Sequence, residues 1–249
     1  MVNLDEITYE DFLKLQKKFI NNENIKRKEE KISYPFRQMR HKKLRTLVNI
    51  KRMLDKTIFD KWFNSDIKLS EDIQEFLKKL LEKKGDLISL YNEEDLKMHF
   101  ISQIFNHIDF TVIEKEIRFF SEESLSYEAE NFIFNGEPNF FIARGLDFPE
   151  KPYFFIQEFK RQARDGYPEP QLLAELISAV ELNNWKNIKG AYILGAGWYF
   201  VILEKLGIDK YRYFVSKEFN SSEIDGLTAI YKNLLFIKEE VIKMVDEGI

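Results

Sequence analysis

The chain has 249 residues, 44% hydrophobic and 32% charged, and its 38 Lys and Arg against 42 Asp and Glu leave a formal net charge of −4. That composition argues against a disordered chain, and no apolar run is long enough to span a bilayer. The absence of Cys excludes disulfides and thiolate zinc sites. The start, Met1 to Glu6, is acidic and lacks the basic-then-apolar layout of a signal peptide, so a cytoplasmic location is expected. A nucleic-acid binder usually has a basic footprint, so the net charge speaks weakly against one, and the distribution of charge matters more than its sum.

Residues 1–86 read as a helical region. Thr8 with Asp11 fits a capping box ahead of Phe12, Leu15 and Phe19. A basic stretch follows, with Lys26, Arg27, Lys28, Arg37, Arg40, Lys42, Lys43, Arg45, Lys51 and Arg52, and with Tyr34, Phe36 and His41 interleaved. It reads as a solvated helix face or as a set of phosphate contacts. The spacing from about Met39 to Trp62 predicts a helix. Ser70 opens an amphipathic helix with Ile73, Phe76, Leu77, Leu80 and Leu81 on one stripe, and Gly85 ends it. A further helix starts at Asn92, where Glu94 lines up with Met98, Ile101 and Phe105 at spacings of four, three and four.

Strands are predicted next. They lie at Phe110 to Phe120, and on either side of Gly136 at Asn131 to Phe134 and Asn139 to Ala143, as two strands or one bent strand. Another runs through Pro152 to Phe159, which is apolar on both faces at its start, as a central buried strand should be. Arg164 to Pro170 reads as a loop and Gln171 to Leu182 as a helix. Gly190 to Leu194 and Tyr199 to Leu203 form a hairpin around Gly195 and Gly197, followed by a strand at Tyr211 to Ser216. Ser222 and Asp225 open a last helix to about Val245. No internal repeat is evident.

The constellation that suggests chemistry is Asn139, Glu158 and Lys160. Residues two apart in a strand share a face, so Glu158 and Lys160 project together while Phe159 points into the core. A carboxylate and an ammonium ending an apolar strand are costly for stability alone. They make sense as one metal ligand and one group that positions an attacking water for phosphodiester hydrolysis.

The segments Asn135–Ala143 (NGEPNFFIA) and Pro152–Lys160 (PYFFIQEFK), with Pro170–Leu176 (PQLLAEL), Gly190–Phe200 (GAYILGAGWYF) and the upstream Asn92–Phe100 (NEEDLKMHF), resemble the PD-(D/E)XK nuclease superfamily. In particular they resemble small bacterial proteins built of a helical N-terminal part and such a core. The resemblance implies an α/β fold with a restriction-endonuclease-like core, a central mixed β-sheet flanked by helices, over 87–249, behind a helical region at 1–86. It implies that Glu158 is a metal ligand and that Lys160 orients the nucleophilic water. Glu94 would add an acidic group for the metal, and Gln171 would support the metal site or the scissile phosphate. The cofactor would be Mg²⁺, with Mn²⁺ as a substitute, and the partner nucleic acid, DNA before RNA. Many families of this fold cut as dimers, which leaves room for a homodimer.

One position departs from the motif. The residue after Pro138 is Asn139, where the superfamily has an Asp that is usually the main metal ligand. Asn offers a neutral carbonyl oxygen and lacks the charge that draws in Mg²⁺. The change is an introduced inactivation, a natural loss of activity, or a loss compensated by Glu137, two residues earlier on the same strand face. Loss is favoured over compensation, so the expected function is an impaired metal-dependent DNA nuclease, with an inactive module that binds DNA or a partner protein as the alternative. A structural or oligomerisation role for the helical N-terminus is a third reading.

Other chemistries find little support. Only three histidines are present, His41, His99 and His107, which disfavours a His-based metal cage or a Ser-His-Asp hydrolase. Gly195-Ala196-Gly197 lacks the third glycine of a dinucleotide loop, and no phosphate-binding loop with Gly-Lys-Ser/Thr is present.

Overall fold

The computed structural model describes residues 10, 13–14, 16–17, 31–162 and 167–248. The capping box at Thr8 and Asp11, the apolar positions Phe12, Leu15 and Phe19, the cluster Lys26 to Lys28, and residues 164–166 of the expected loop lie outside them.

The chain forms an α/β structure in which a mixed sheet is flanked by helices on both faces. In chain order, β1 is Ile32–Pro35, α1 His41–Leu47, β2 Asn49–Met53, α2 Glu71–Lys84 and α3 Glu93–Leu96. A π-turn at Lys97–Ile101 joins α3 to α4, Ser102–Ile108. Then come β3 Ile117–Ser121, β4 Leu125–Glu128, β5 Phe132–Gly136, β6 Phe140–Arg144 and β7 Glu150–Lys160. The remainder is α5 Pro168–Leu182, β8 Asn187–Leu194, β9 Gly197–Gly207, β10 Lys210–Val215, β11 Phe219–Asn220 and α6 Ile224–Asp246.

The large sheet runs β2-β10-β9-β8-β7-β6-β3, with β11 beside β9, and a small sheet runs β1-β5-β4. β7 and β8 are parallel and joined through α5, while β6–β7, β8–β9 and β9–β10 are antiparallel. β7 is central, so both of its faces are covered: Phe155 and Phe159 enter the core shared with α2, α4 and α6, and Ile156 enters the core under α5.

Two expectations about the N-terminal region change. The predicted helix over 39–62 is interrupted after α1, because Asn49–Met53 adds itself as a parallel edge strand to β10, and helical structure resumes only in the 3₁₀ turn Thr57–Phe59 and the single turn Asp60–Phe63. Pairing along a sheet outweighs a helical spacing that rests on few apolar positions. Likewise Ile32–Pro35 is a strand, parallel to β5. The described part of 1–86 is therefore not a helical segment, and the large sheet takes strands from both sides of residue 86. α2 runs as predicted, with Ser70 Oγ accepting from the Ile73 N–H at 3.4 Å.

Elsewhere the differences are smaller. The two segments around Gly136 are separate strands in separate sheets, and β4 is a strand that the sequence reading leaves out. The strand expected over 110–120 is confined to β3, after a 3₁₀ turn at Ile113–Lys115. α5 begins before Gln171, with Pro168 and Pro170 in its first turn, where a missing N–H costs nothing. Ser222 and Asp225 do not cap α6; the cap position is Glu223, without a side-chain bond.

α5 lies close on the sheet because β8 has Gly190 beneath it. A Cβ there would sit 2.7 Å from the Ile156 carbonyl oxygen and 3.0 Å from Leu176 of α5. Gly190→Ala is expected to destabilise the protein by about 1–3 kcal/mol, the cost of overpacking. Urea unfolding checks this, and an unchanged midpoint would mean that α5 does not depend on this close approach.

Candidate functional site

The end of β7 brings Glu158 and Lys160 to the α5 face, with Phe159 turned to the opposite core. Glu158 is completely buried. Its Oε1 accepts from Lys160 Nζ at 3.0 Å, and its Oε2 has no partner among the described residues. Asn139, just before β6, holds this strand end from the other side. Its Oδ1 accepts the Phe159 N–H at 3.0 Å, and its nearby backbone amide pulls the Glu158 value down slightly.

The predicted helix contributes a different acid from the one expected. Glu94 is exposed, and Glu93 meets Lys160 Nζ at 3.1 Å. The π-turn Lys97–Ile101 is the reason, since its wider turn shifts the phase between α3 and α4 and breaks the four-three-four stripe. Met98 is accordingly exposed, and Phe100 with Ile101 takes the buried side. Asn92 caps the turn that carries Glu93, accepting the Asp95 N–H at 2.9 Å.

α5 supplies Gln171 and a residue that the sequence reading assigns no role, Glu175. Gln171 Nε2 donates to Glu175 Oε1 at 3.1 Å. Glu175 is fully buried, and its Oε2, like that of Glu158, has no partner among the described residues. A visible signal marks it: Glu175 interrupts the apolar run Leu172 to Val180 one helical turn after Gln171, at the spacing that puts two side chains on one face. Glu137 is exposed, so the compensating acid considered in the sequence is not brought to Glu158, whereas Glu175 is an acid close enough for the Glu158 charge to raise its value.

Both buried carboxyls are raised above the ordinary value. Burial pushes the Glu158 carboxyl up to about 7, against the downward pull of the Lys160 charge. Burial, then the charge of Glu158, raises Glu175 well above the ordinary carboxyl value. Burial alone would lower Lys160, but Glu158 and Glu93 outweigh it and raise its value. The pair of acids therefore retains proton at neutral pH when no cation is present.

Two buried, unanswered carboxylate oxygens beside an amide and an ammonium fit a hard divalent cation, which prefers oxygen donors and is commonly held by one or two carboxylates with its remaining positions left to water and phosphate. Asn139 Oδ1 is already committed to Phe159. Among the described residues no group of three His, Cys, Asp or Glu side chains is arranged to hold a metal ion, so any such ion would rest on few protein ligands. No helix among the described residues is long and apolar enough to cross a membrane. No protein-family model matches this chain, and no curated protein matches it.

The proton balance has a measurable consequence. Folded-state carboxyls raised above the ordinary value of 4.5 bind more protons than unfolded ones, so the stability they contribute is complete below about pH 4.5; that of Glu158 is lost as pH rises through about 7, and that of Glu175 as pH rises through its own raised value. Glu175→Gln removes one of the two acids and keeps a polar group facing Gln171. In EDTA it is expected to raise stability by ~1–3 kcal/mol at alkaline pH, the scale of an unsatisfied buried polar group, with the gain shrinking toward pH 5. Thermal unfolding at both pH values tests this; a variant less stable than the parent at both would contradict the account.

Proposed function

We propose that this chain is a divalent-cation-dependent nuclease of the PD-(D/E)XK type with a restriction-endonuclease-like core, acting on DNA phosphodiester bonds and weakened by Asn139. The observation that carries this reading is the pair of unpartnered oxygens, Glu158 Oε2 and Glu175 Oε2, buried on one face of the sheet beside Lys160. Glu158 and Glu175 would hold Mg²⁺ or Mn²⁺. A bound cation of this kind supplies charge that lowers the pKa of water and offsets negative charge developing on phosphorus-bound oxygens.

The protein's own groups then have distinct roles. Gln171 fixes the rotamer of Glu175 through its Nε2 bond. Asn139 fixes the end of β7 by accepting the Phe159 N–H. Lys160 keeps its proton, because Glu158 and Glu93 raise its value, and is a donor for an anionic phosphoryl oxygen or for the water that attacks it. Glu93 and Lys160 keep partial exposure, so they form the margin from which a substrate would approach the closed carboxylate pair.

A second reading, an inactive module of the same fold, is favoured by Asn139 itself. Asn139 is neutral, and its oxygen already serves the β7 backbone. Replacing it by Asp separates the two readings. Asn139→Asp is expected to increase Mg²⁺- or Mn²⁺-dependent nicking of supercoiled DNA by roughly 10- to 100-fold, the usual scale for adjusting a metal site, and adding Lys160→Ala is expected to abolish it. Independently of activity, Mn²⁺ should raise the melting temperature of the parent chain and of Asn139→Asp, but not of Glu175→Gln. If no form cuts DNA and Mn²⁺ shifts none of them, the nuclease reading fails and the inactive module stands.

A further inference from the structure

Between Lys31 and Lys56 the chain carries nine Lys and Arg and a single acidic residue, Asp55, inside a protein whose net charge is −4. Asp55 is turned to Thr57, accepting its N–H at 2.9 Å and its hydroxyl at 2.7 Å. Arg37, Arg40, Lys42, Lys43, Arg45, Lys51 and Arg52 are all exposed. Of these, only Arg52 has a carboxylate within ion-pair distance among the described residues, Glu169 at 3.5 Å. A concentration of unanswered cations on a folded surface costs self-repulsion and is relieved by a polyanion.

This surface is physically continuous with the Glu158 site. α1 and the turn Phe36–Gln38 pack on α5, the helix that carries Gln171 and Glu175. At the first turn of α5, Glu169 is nearly buried and gathers Arg52, His41 Nε2 at 3.6 Å, the Tyr213 hydroxyl at 2.9 Å and the Tyr192 hydroxyl at 3.3 Å. Tyr192 in turn lies directly beside Glu158 in the β7–β8 register, one strand spacing of about 4.8 Å away. The charges of Arg52 and Arg45 both act on the Tyr213 hydroxyl, which places Arg45 at the same end of the sheet.

We infer that α1 and the β2 edge, with Lys42, Arg45 and Arg52 as its principal cations, form the surface over which a nucleic-acid phosphodiester backbone is held on its way to Glu158. The choice of ligand rests on the nuclease reading above. Lys42, Lys43 and Arg45 lie within one turn of α1, about 4.5 Å along its axis, so they gather three cations against the one or two phosphates that a strand carries over about that length. Glu169 is a positioning residue here. It holds Arg52 and His41 against the end of the sheet, and the two tyrosines keep its carboxylate in place.

The test is equilibrium binding in EDTA, where cleavage is absent. A short fluorescent DNA duplex and an RNA duplex of the same sequence are titrated with the full chain from about 50 to about 200 mM salt. The variants are Lys42→Glu with Arg45→Glu, the milder Lys42→Gln with Arg45→Gln, and a control on α2, Lys78→Glu with Lys83→Glu. The parent is expected to bind with a steep salt dependence. The reversal should weaken binding about tenfold or more and reduce the log–log salt slope by about two, and the Gln pair should shift both in the same direction. The control should change neither. Binding of either duplex supports the surface, and the tighter one identifies the sugar. A parent that binds neither duplex, or a reversal with unchanged affinity and slope, overturns it. Salt-dependent binding over α1, when neither the parent nor Asn139→Asp cuts DNA and Mn²⁺ shifts the melting temperature of neither, removes the nuclease reading and leaves the surface. Cleavage that survives the reversal at unchanged affinity removes the surface and leaves the nuclease reading.

Discussion

Glu158 and Glu175 are neighbouring carboxyls, both fully buried, and the rest of the candidate site is arranged around that constraint. A buried carboxylate is costly unless charge or hydrogen bonds answer it. Lys160 answers one oxygen of Glu158 and Gln171 one oxygen of Glu175, while the second oxygen of each is left over. Burial therefore raises both carboxyls, and the remaining demand is for a proton or a cation. An apolar pair of the same volume would serve stability better, so retaining two acids there points to a use for their charge.

The geometry that brings the acids together depends on the sheet. Because side chains alternate along a strand, a register slip of one residue in β7 would turn Glu158 and Lys160 into the opposite core and bring Phe159 under α5. Register is held by the β6 and β8 ladders on the two sides of β7 and, at the strand end, by Asn139 accepting the Phe159 N–H. The parallel crossover through α5 then lays Gln171 and Glu175 over the same face, at a depth that Gly190 permits. On the other side of Lys160, a single π-turn determines which of two adjacent glutamates reaches the ammonium.

Charge is distributed as unevenly as burial. The net value of −4 conceals a basic segment from Lys31 to Lys56 that folds against the N-terminal end of α5. Glu169 and its tyrosines connect that segment to the strand bearing Glu158, so an electropositive surface and a carboxylate centre share one end of the sheet. Under the reading proposed above, the cations would attract a polyanion at long range through solvent, and the carboxylates would act at contact.

By itself the sequence determined the central strand with its Glu158–Lys160 ending, the β8–β9 hairpin and α2 with its Ser70 cap. These rest on local signals: alternation, capping chemistry, turn glycines and charge at the end of an apolar run. Tertiary structure decided what local signals cannot carry. Asn49–Met53 became a strand because β10 offered it a partner, and Ile32–Pro35 because β5 did. Glu93 replaced Glu94 because a π-turn changed the helical phase, which apolar spacing alone does not register. Glu175 stands in plain view within LLAELISAV, yet its pairing with Glu158 follows from a crossover that joins residues seventeen apart in the chain. Alternation and caps are properties of neighbouring residues, whereas the meeting of two buried carboxylates belongs to the packing of a helix on a sheet.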